Sequence, residues 1–285
     1  MTDAAAKAEA FRQLHLGSRP FVLPNAWDVP SARVFEDAGF PAVATSSAGL
    51  MASRGYPDGE TMPKREFFET VGRIAGALAI PLSADAVAGY GRGPPAVAKT
   101  VRRLIEVGAI GINLEDLAPA HDGLLRPAGQ VRKIRAIRAL AQEVGVPIVI
   151  NARTDALRQA PGEPPARLKE AIRRASAYRD AGADCVYPMG LTDAADIDTF
   201  VRALGCPVNV MVRRGLPGLP ELERLGVKRV SFGPGASYAA LGLLKRVSAD
   251  VLERSSFESL LEGAISFDEL NRLAVPRAPP SPPAS

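Results

Sequence analysis

Two hydrophobic rhythms alternate along the chain. Short runs of apolar, often β-branched residues recur, and between them apolar positions fall three or four apart with charged residues in the gaps. The first pattern predicts strands buried on both faces, as in a parallel sheet, and the second predicts amphipathic helices. A weak repeat links them: a charged helix end, a glycine, one or two small or apolar residues, then the apolar run. Gly39, Gly108, Gly145, Gly182, Gly205 and Gly226 take that place, before runs such as Ala42-Val43-Ala44 and Pro147-Ile148-Val149-Ile150. Glycine suits the left-handed residue that ends a helix. Leu78-Ala79-Ile80-Pro81-Leu82-Ser83 is a further copy without the glycine, and Phe21-Val22-Leu23 supplies the first strand.

Eight strands result, followed by helices over segments such as 64–79, 95–107, 127–144 and 165–181, with no hairpin signal. That order predicts an α/β protein and a (β/α)8 TIM barrel. A doubly wound open sheet is the weaker alternative, because no Gly-x-Gly-x-x-Gly turn follows the first strand. Residues 1–18 read as an N-terminal helix and 19–247 as the barrel. Residues 248–274 carry extra C-terminal helices (249–261 and 267–273), and 275–285 form a Pro-rich mobile tail. Helices beyond a complete barrel hint at burial on a neighbouring subunit.

Composition narrows the partners. With 285 residues the chain buries a core large enough to need no disulfide or structural metal, and its two cysteines suit a reducing compartment. The 35 basic and 31 acidic side chains are interspersed, which argues against nucleic acid. No apolar run approaches the roughly 20 residues that span a bilayer, and the first 18 residues lack a signal peptide's apolar core. The expectation is a soluble, cytoplasmic protein without a membrane partner.

Barrel chemistry gathers where strands run into their following helices. Those ends read Asn25-Ala26-Trp27-Asp28, Thr45-Ser46-Ser47-Ala48-Gly49, Asp85, Asn113-Leu114-Glu115-Asp116, Asn151-Ala152-Arg153-Thr154-Asp155, Tyr187-Pro188, Asn209 with Met211, and Gly233-Pro234-Gly235. Asp85, Glu115 and, from a loop, Asp58 would converge at one mouth. Oxygen ligands without His or Cys favour Mg²⁺, or Mn²⁺, over zinc. Arg153 offers a planar fork for a substrate carboxylate, and Ser46 to Gly49 could leave backbone N–H groups free for an anionic oxygen. All seven lysines lie on presumed helices or, for Lys228, ahead of the last strand, which argues against a Schiff-base aldolase. Asp28 and Asp155 read as helix N-caps, Asp116 as the partner of an arginine. Gly89-Tyr90-Gly91-Arg92-Gly93 reads as a mobile gate. His121, after the fourth strand, is the one imidazole placed to reach substrate.

In this order the segments resemble the isocitrate lyase/phosphoenolpyruvate mutase superfamily, and its phosphoenolpyruvate phosphonomutase-like branch. The resemblance is carried by Thr45-Ser46-Ser47-Ala48-Gly49, Gly55-Tyr56-Pro57-Asp58, Ser83-Ala84-Asp85 with Gly89-Tyr90-Gly91, Asn113-Leu114-Glu115-Asp116 and Asn151-Ala152-Arg153-Thr154-Asp155. It implies a barrel whose eighth helix is exchanged between subunits of a dimer or homotetramer, and a Mg²⁺ site for small 2-oxo acids. Asp85 would be the principal metal ligand, with Asp58 and Glu115 acting through water. Ser46, Ser47 and Ala48 would hold the substrate carboxylate, Arg153 would steady the enolate end, and Asn209 would line the far wall. Two positions depart from the superfamily: Val87 stands where a second carboxylate is usual, and residues 117–123 lack the Cys of the isocitrate lyase loop.

The expected activity is therefore C–C cleavage of a small 2-oxo or 2-hydroxy acid through a metal-stabilised enolate, with decarboxylation best suited to the missing Cys. His121, Tyr90 or a metal-ordered water would protonate the enolate. P–C chemistry on a phosphonate or phosphoenolpyruvate is the second reading, and a degenerate barrel that binds 2-oxo acids is the third.

Overall fold

The computed structural model describes residues 3–118 and 123–275. Its parallel strands are β1 (Phe21–Leu23), β2 (Asn25–Ala26), β3 (Val43–Thr45), β4 (Leu82–Asp85), β5 (Gly111–Glu115), β6 (Val149–Thr154), β7 (Cys185–Pro188), β8 (Asn209–Met211) and β9 (Arg229–Ser231). Strands β2 to β7 form one ladder, and β1, β9 and β8 form another. Two seams join these ladders. A parallel bridge between Val186 and Val208 links β7 to β8. At the other seam the first predicted strand is divided by Pro24, which has no N–H to give to a ladder. Its carbonyl still accepts from Ala44 N at 2.8 Å. So β1 pairs with β9 while β2 pairs with β3. The product is the expected (β/α)8 barrel, with its first strand stepped at the proline.

The outer helices follow the predicted segments closely: Lys64–Ala77, Pro94–Glu106, Pro127–Val144 and Pro164–Asp180. In the second of these, Val97, Thr100, Val101 and Leu104 are buried, the three-and-four spacing that sets one face against the strands. Gly145 and Gly205 end their helices with φ of 69° and 57°, a conformation open to glycine without steric cost.

The helix Asp3–Leu16 closes the barrel at the end where the strands begin. Ala8 and Phe11 are fully buried there, among Leu23, Ala42, Ala44 and Val149. A Cβ on Gly111, the first residue of β5, would stand 2.6 Å from Phe11 Cε1, so glycine makes room for the plug. His15 packs edge-on against Phe11 and Phe21.

After β9 one long helix, Gly235–Arg254, runs past residue 247 and stops at Ser255, whose φ is 51°. Only Ser237 in it is buried, although Tyr238, Leu241, Leu244 and Leu252 are all more than half exposed. Two shorter helices follow, Glu258–Leu261 and Phe267–Ala274. The last docks on the helix Val29–Asp37 through buried Leu273 and an Arg272–Asp37 ion pair. No described helix is long and apolar enough to cross a membrane. The 276–285 part of the Pro-rich tail lies outside the described residues, as does His121.

Candidate active site

A cavity of about 280 Å³ opens at the carboxyl ends of the strands. It runs from Asp58, Arg158 and Tyr238 at the rim to Ser83, Asn151 and Arg229 inside the barrel. Of the residues singled out from the sequence, Ser46, Ser47, Ala48, Asp58, Asp85, Arg153 and Asn209 all line it. Asp85, Arg153 and Asn209 come from separate strands, Ser46, Ser47 and Ala48 follow the end of β3, and Asp58 comes from a loop. In the parallel register Asp85 stands beside Asn113, Asn113 beside Asn151, and Glu115 beside Arg153.

Asp85 is held from three sides. Its Oδ2 accepts from Ser47 N at 3.0 Å, and its Oδ1 accepts from Asn113 Nδ2 at 3.0 Å and Val87 N at 3.4 Å. Asn151 Nδ2 in turn donates to Asn113 Oδ1 at 3.0 Å, which fixes the orientation of the Asn113 amide. Asp85 N donates to Thr45 Oγ1 at 2.8 Å. Val87 makes its contact from a left-handed conformation (φ 51°), a strained one for a β-branched residue, with its side chain buried in the apolar core.

The segment 46–49 departs from its expectation in one respect. Ser46 N donates to Ala26 O, Ser47 N to Asp85, and Gly49 N to the Ser46 hydroxyl that caps the helix Ser47–Ala52. The cap draws those amides into the protein. Among the four, the Ala48 N–H takes no protein acceptor among the described residues, and the Ser46 and Ser47 side chains line the cavity.

Arg153 lies between two carboxylates. Its Nε and Nη2 donate to Asp155 at 2.7 and 2.9 Å, and its Nη1 meets Glu115 Oε2 at 2.9 Å. Arg153 thus gives two of its five guanidinium N–H donors to Asp155 and pairs electrostatically with Glu115, while its side chain lines the cavity. Asp155 is therefore a clamp for Arg153; its side chain caps nothing, unlike Asp28, which accepts from Ser31 N in a reciprocal capping box. Burial pushes Glu115 up to about 8 against the attraction of Arg153, with smaller repulsions from Asp85, Asp155 and Asp58 adding to the rise. Glu115 Oε1 is buried without a partner among the described residues. Asp116 behaves as expected of a structural acid. Fully buried, it accepts from Thr154 Oγ1, Asp155 N, Tyr178 Oη and Arg174, and so anchors the strand end that carries Arg153.

Tyr90 is not brought to the cavity. Its ring stacks on Phe67 at 4.5 Å and is buried, its backbone N–H donates to Glu60, and its hydroxyl has no partner among the described residues. The glycines around it read as a gate, but an aromatic ring from the helix Lys64–Ala77 captures the tyrosine. Sequence reasoning assigned no role to Asn113, Asn151, Tyr187 or Arg229, all of which line the cavity. The available signal was a polar residue at alternate positions of strands that are otherwise apolar.

For a hard cation the donors fit in a limited way. Among the described residues no group of three or more His, Cys, Asp or Glu side chains is placed to hold a metal together. Asp85 keeps lone pairs beyond its three hydrogen bonds, Asp58 shares the cavity, and Glu115 faces Arg153 behind it. That set suits one direct carboxylate with water completing the shell, the manner in which Mg²⁺ is commonly bound.

A closed parallel barrel carries a cavity of carboxylates, amides and one clamped guanidinium at its strand ends, a lining chemically suited to a small organic anion. The sequence matches the phosphoenolpyruvate phosphomutase family over residues 11–252. The chain is 33% identical over 275 residues to oxaloacetate decarboxylase 1 of Pseudomonas fluorescens, covering 93% of this chain and 87% of that one. It is 30% identical over 208 residues to 2-methylisocitrate lyase of Escherichia coli, covering 70% and 68%. A solved structure from Burkholderia cenocepacia J2315 superimposes with a TM-score of 0.87 at 35% identity, over 97% of this chain and all of that one. The chain belongs to the phosphoenolpyruvate phosphomutase family, within the isocitrate lyase/phosphoenolpyruvate mutase superfamily.

Proposed function

We propose that this protein is a divalent-cation-dependent lyase that cleaves a carbon–carbon bond in a small 2-oxo acid, and that its preferred reaction is decarboxylation of an oxaloacetate-like substrate. The observation that carries this reading is one cavity lined by both the Asp85 carboxylate and the Arg153 side chain, whose guanidinium is clamped by Asp155 and Glu115. Similarity to a decarboxylase and to a second C–C lyase supports it. Mg²⁺, or Mn²⁺, at Asp85 would supply Lewis-acid stabilisation of negative charge on the 2-oxo oxygen, with Asp58 and Glu115 in outer positions.

The chain's own residues do the rest. The Ser46 and Ser47 hydroxyls and the Ala48 N–H hold the carboxylate next to the 2-oxo group, and Asn209 lines the opposite wall. The clamped guanidinium of Arg153 meets the charge that develops on the 2-oxo oxygen, where fixed donors count most. The C3–C4 bond breaks, C4 departs as CO₂, and its electron pair passes into the enolate. A proton from water in the cavity then adds to C3 and gives pyruvate. No base is needed to deprotonate a hydroxyl, which suits a 117–123 segment without Cys.

The family match favours P–C chemistry on a phosphonate or phosphoenolpyruvate as the second reading. We place the protein in the cytoplasm as a homodimer or homotetramer, with the helix Gly235–Arg254 covered by a neighbouring subunit. The test is proton NMR of a mixed panel of 2-oxo, 2-hydroxy and phosphonate acids incubated with the protein and Mg²⁺. Conversion of one 2-oxo or 2-hydroxy acid to pyruvate or glyoxylate is the expected result. Conversion of a phosphonate alone, or selective broadening of a 2-oxo acid without turnover, would overturn the lyase reading.

A further inference from the structure

The loop that carries Asp58 and the turn that follows Asp85 are joined by a contact that the proposed reaction leaves unused. Gly59 alone separates Asp58 from Glu60. Glu60 Oε1 accepts from Tyr90 N at 2.6 Å, and the Ala88 N–H acts on the same carboxylate. From the other side Lys133, buried on the helix Pro127–Val144, donates from Nζ to Ala88 O at 2.8 Å. Between these anchors lies Val87, whose O accepts from Glu115 N at 2.8 Å and whose N donates to Asp85 Oδ1 at 3.4 Å. Glu60 and Lys133 thus grip one stretch of backbone whose own atoms reach Asp85 and Glu115.

Of the four described non-glycine residues with positive φ, three meet here: Glu60 (67°), Val87 (51°) and Tyr90 (48°). Left-handed backbone costs energy at each, so the surroundings must hold it in place. The Tyr90 ring stacked on Phe67 and the two charged side chains do so. Burial raises the Glu60 carboxyl and lowers the Lys133 ammonium, while their mutual attraction opposes both shifts. A buried pair of opposite charges adds little net stability over apolar residues of the same volume. Its effect here is geometric, because each member is bonded to the backbone of one turn.

We infer that Glu60, backed by Lys133, is a positioning residue that fixes Asp58 relative to Asp85 and so sets the affinity of the site for its divalent cation. The inference rests on the reading of Asp58 and Asp85 as cation ligands. Among the described residues that line the cavity, Asp58 and Asp85 are present and Glu60 is not. Glu60 therefore acts through its neighbour in the loop, held against the turn that Asp85 begins.

The experiment is equilibrium binding of Mn²⁺ to the full chain, read from the electron paramagnetic resonance signal of the free ion, with circular dichroism as the check on folding. Glu60→Ala should weaken binding about 10-fold, the scale on which outer supports of a metal site are felt, with the fold retained. Glu60→Gln keeps an oxygen for the Tyr90 N–H and should return most of the affinity. In an Asp58→Asn background Glu60→Ala should cost little more, because the carboxylate it places is gone. Wild-type affinity in Glu60→Ala, no recovery in Glu60→Gln, or the full loss repeated in the Asp58→Asn background would each overturn the inference and leave the lyase reading standing. A wild-type chain that binds no Mn²⁺ would instead overturn that reading, and the inference with it. If Glu60→Ala does not fold, Lys133→Met removes the other anchor of the turn and is read in the same cycle. The same loss is expected of it, and wild-type affinity or a loss repeated in the Asp58→Asn background would overturn the inference.

Discussion

Arg153 links stability and chemistry in one side chain. It is the cationic partner of both Glu115 and Asp155, and removing it leaves two buried carboxylates exposed to each other. Arg153→Met should lower unfolding stability in urea by about 3 kcal/mol, the scale on which broken buried pairs are felt, and reduce turnover on the order of 10²-fold or more. Ser46→Ala acts more gently. It removes the cap on Gly49 N, costing about 1 kcal/mol, together with a hydroxyl of the cavity, so KM should rise more than kcat falls in steady-state assays. The position of Asp85, Arg153 and Ser46 to Ala48 at the cavity was legible in the sequence because each lies at or just after the end of a recognisable strand, where barrels open. Asp155 was not, since an acid before a short helix looks like a cap. Its attachment to Arg153 follows from two side chains two residues apart on a strand pointing to one face. Tyr90 was misplaced for the opposite reason: its partner, Phe67, is more than twenty residues away, and no local pattern announces that stack.

At the level of elements, the N-terminal helix is a stopper with a titratable residue in it. His15 lies among Phe11 and Phe21, and burial, then Arg229, lowers it from 6.5 to about 3. The folded chain therefore keeps His15 neutral where the unfolded chain protonates it. This site's contribution to stability is complete above pH 6.5 and is lost as pH falls toward 3. His15→Phe, which preserves the aromatic cluster, should lose less stability than the wild-type chain when denaturation is compared at pH 7 and pH 4. Equal losses would mean that His15 is protonated in the folded state. The helix itself was legible from its spacing, but its role was not. The fit depends on Gly111, a glycine inside a strand whose partner lies a hundred residues earlier. Pro24 is similar: a proline in an apolar run signals a break, yet only the two ladders on either side of it show that the barrel steps there and stays closed.

At the scale of the whole molecule, one apolar surface stands outside the barrel, on the helix Gly235–Arg254 and the segments after it. Exposed apolar side chains concentrate between Tyr238 and Val275, on a long helix that buries only Ser237. A surface of that kind marks an interface. If this face is the proposed subunit interface, Leu241→Glu together with Leu244→Glu should give monomers where the wild-type chain gives a dimer or tetramer in light scattering coupled to size exclusion, while the barrel's far-ultraviolet circular dichroism is retained. An unchanged mass would place the interface elsewhere. The eight-unit repeat made the barrel readable from the sequence, whereas what covers this helix lies outside the barrel contacts that such a repeat encodes.

The claim at the centre of the account is that Asp85 and Arg153 together catalyse loss of CO₂ from a 2-oxo acid. The most direct measurement is the rate of pyruvate formation from oxaloacetate with Mg²⁺, compared between the wild-type chain and Asp85→Asn at equal concentration. The variant corrects for decarboxylation that proceeds in solution without the protein. The account predicts a saturable wild-type rate at least about 10²-fold above that of Asp85→Asn, abolished by chelation of the cation. Equal rates for the two proteins, both matching the solution background, would contradict it.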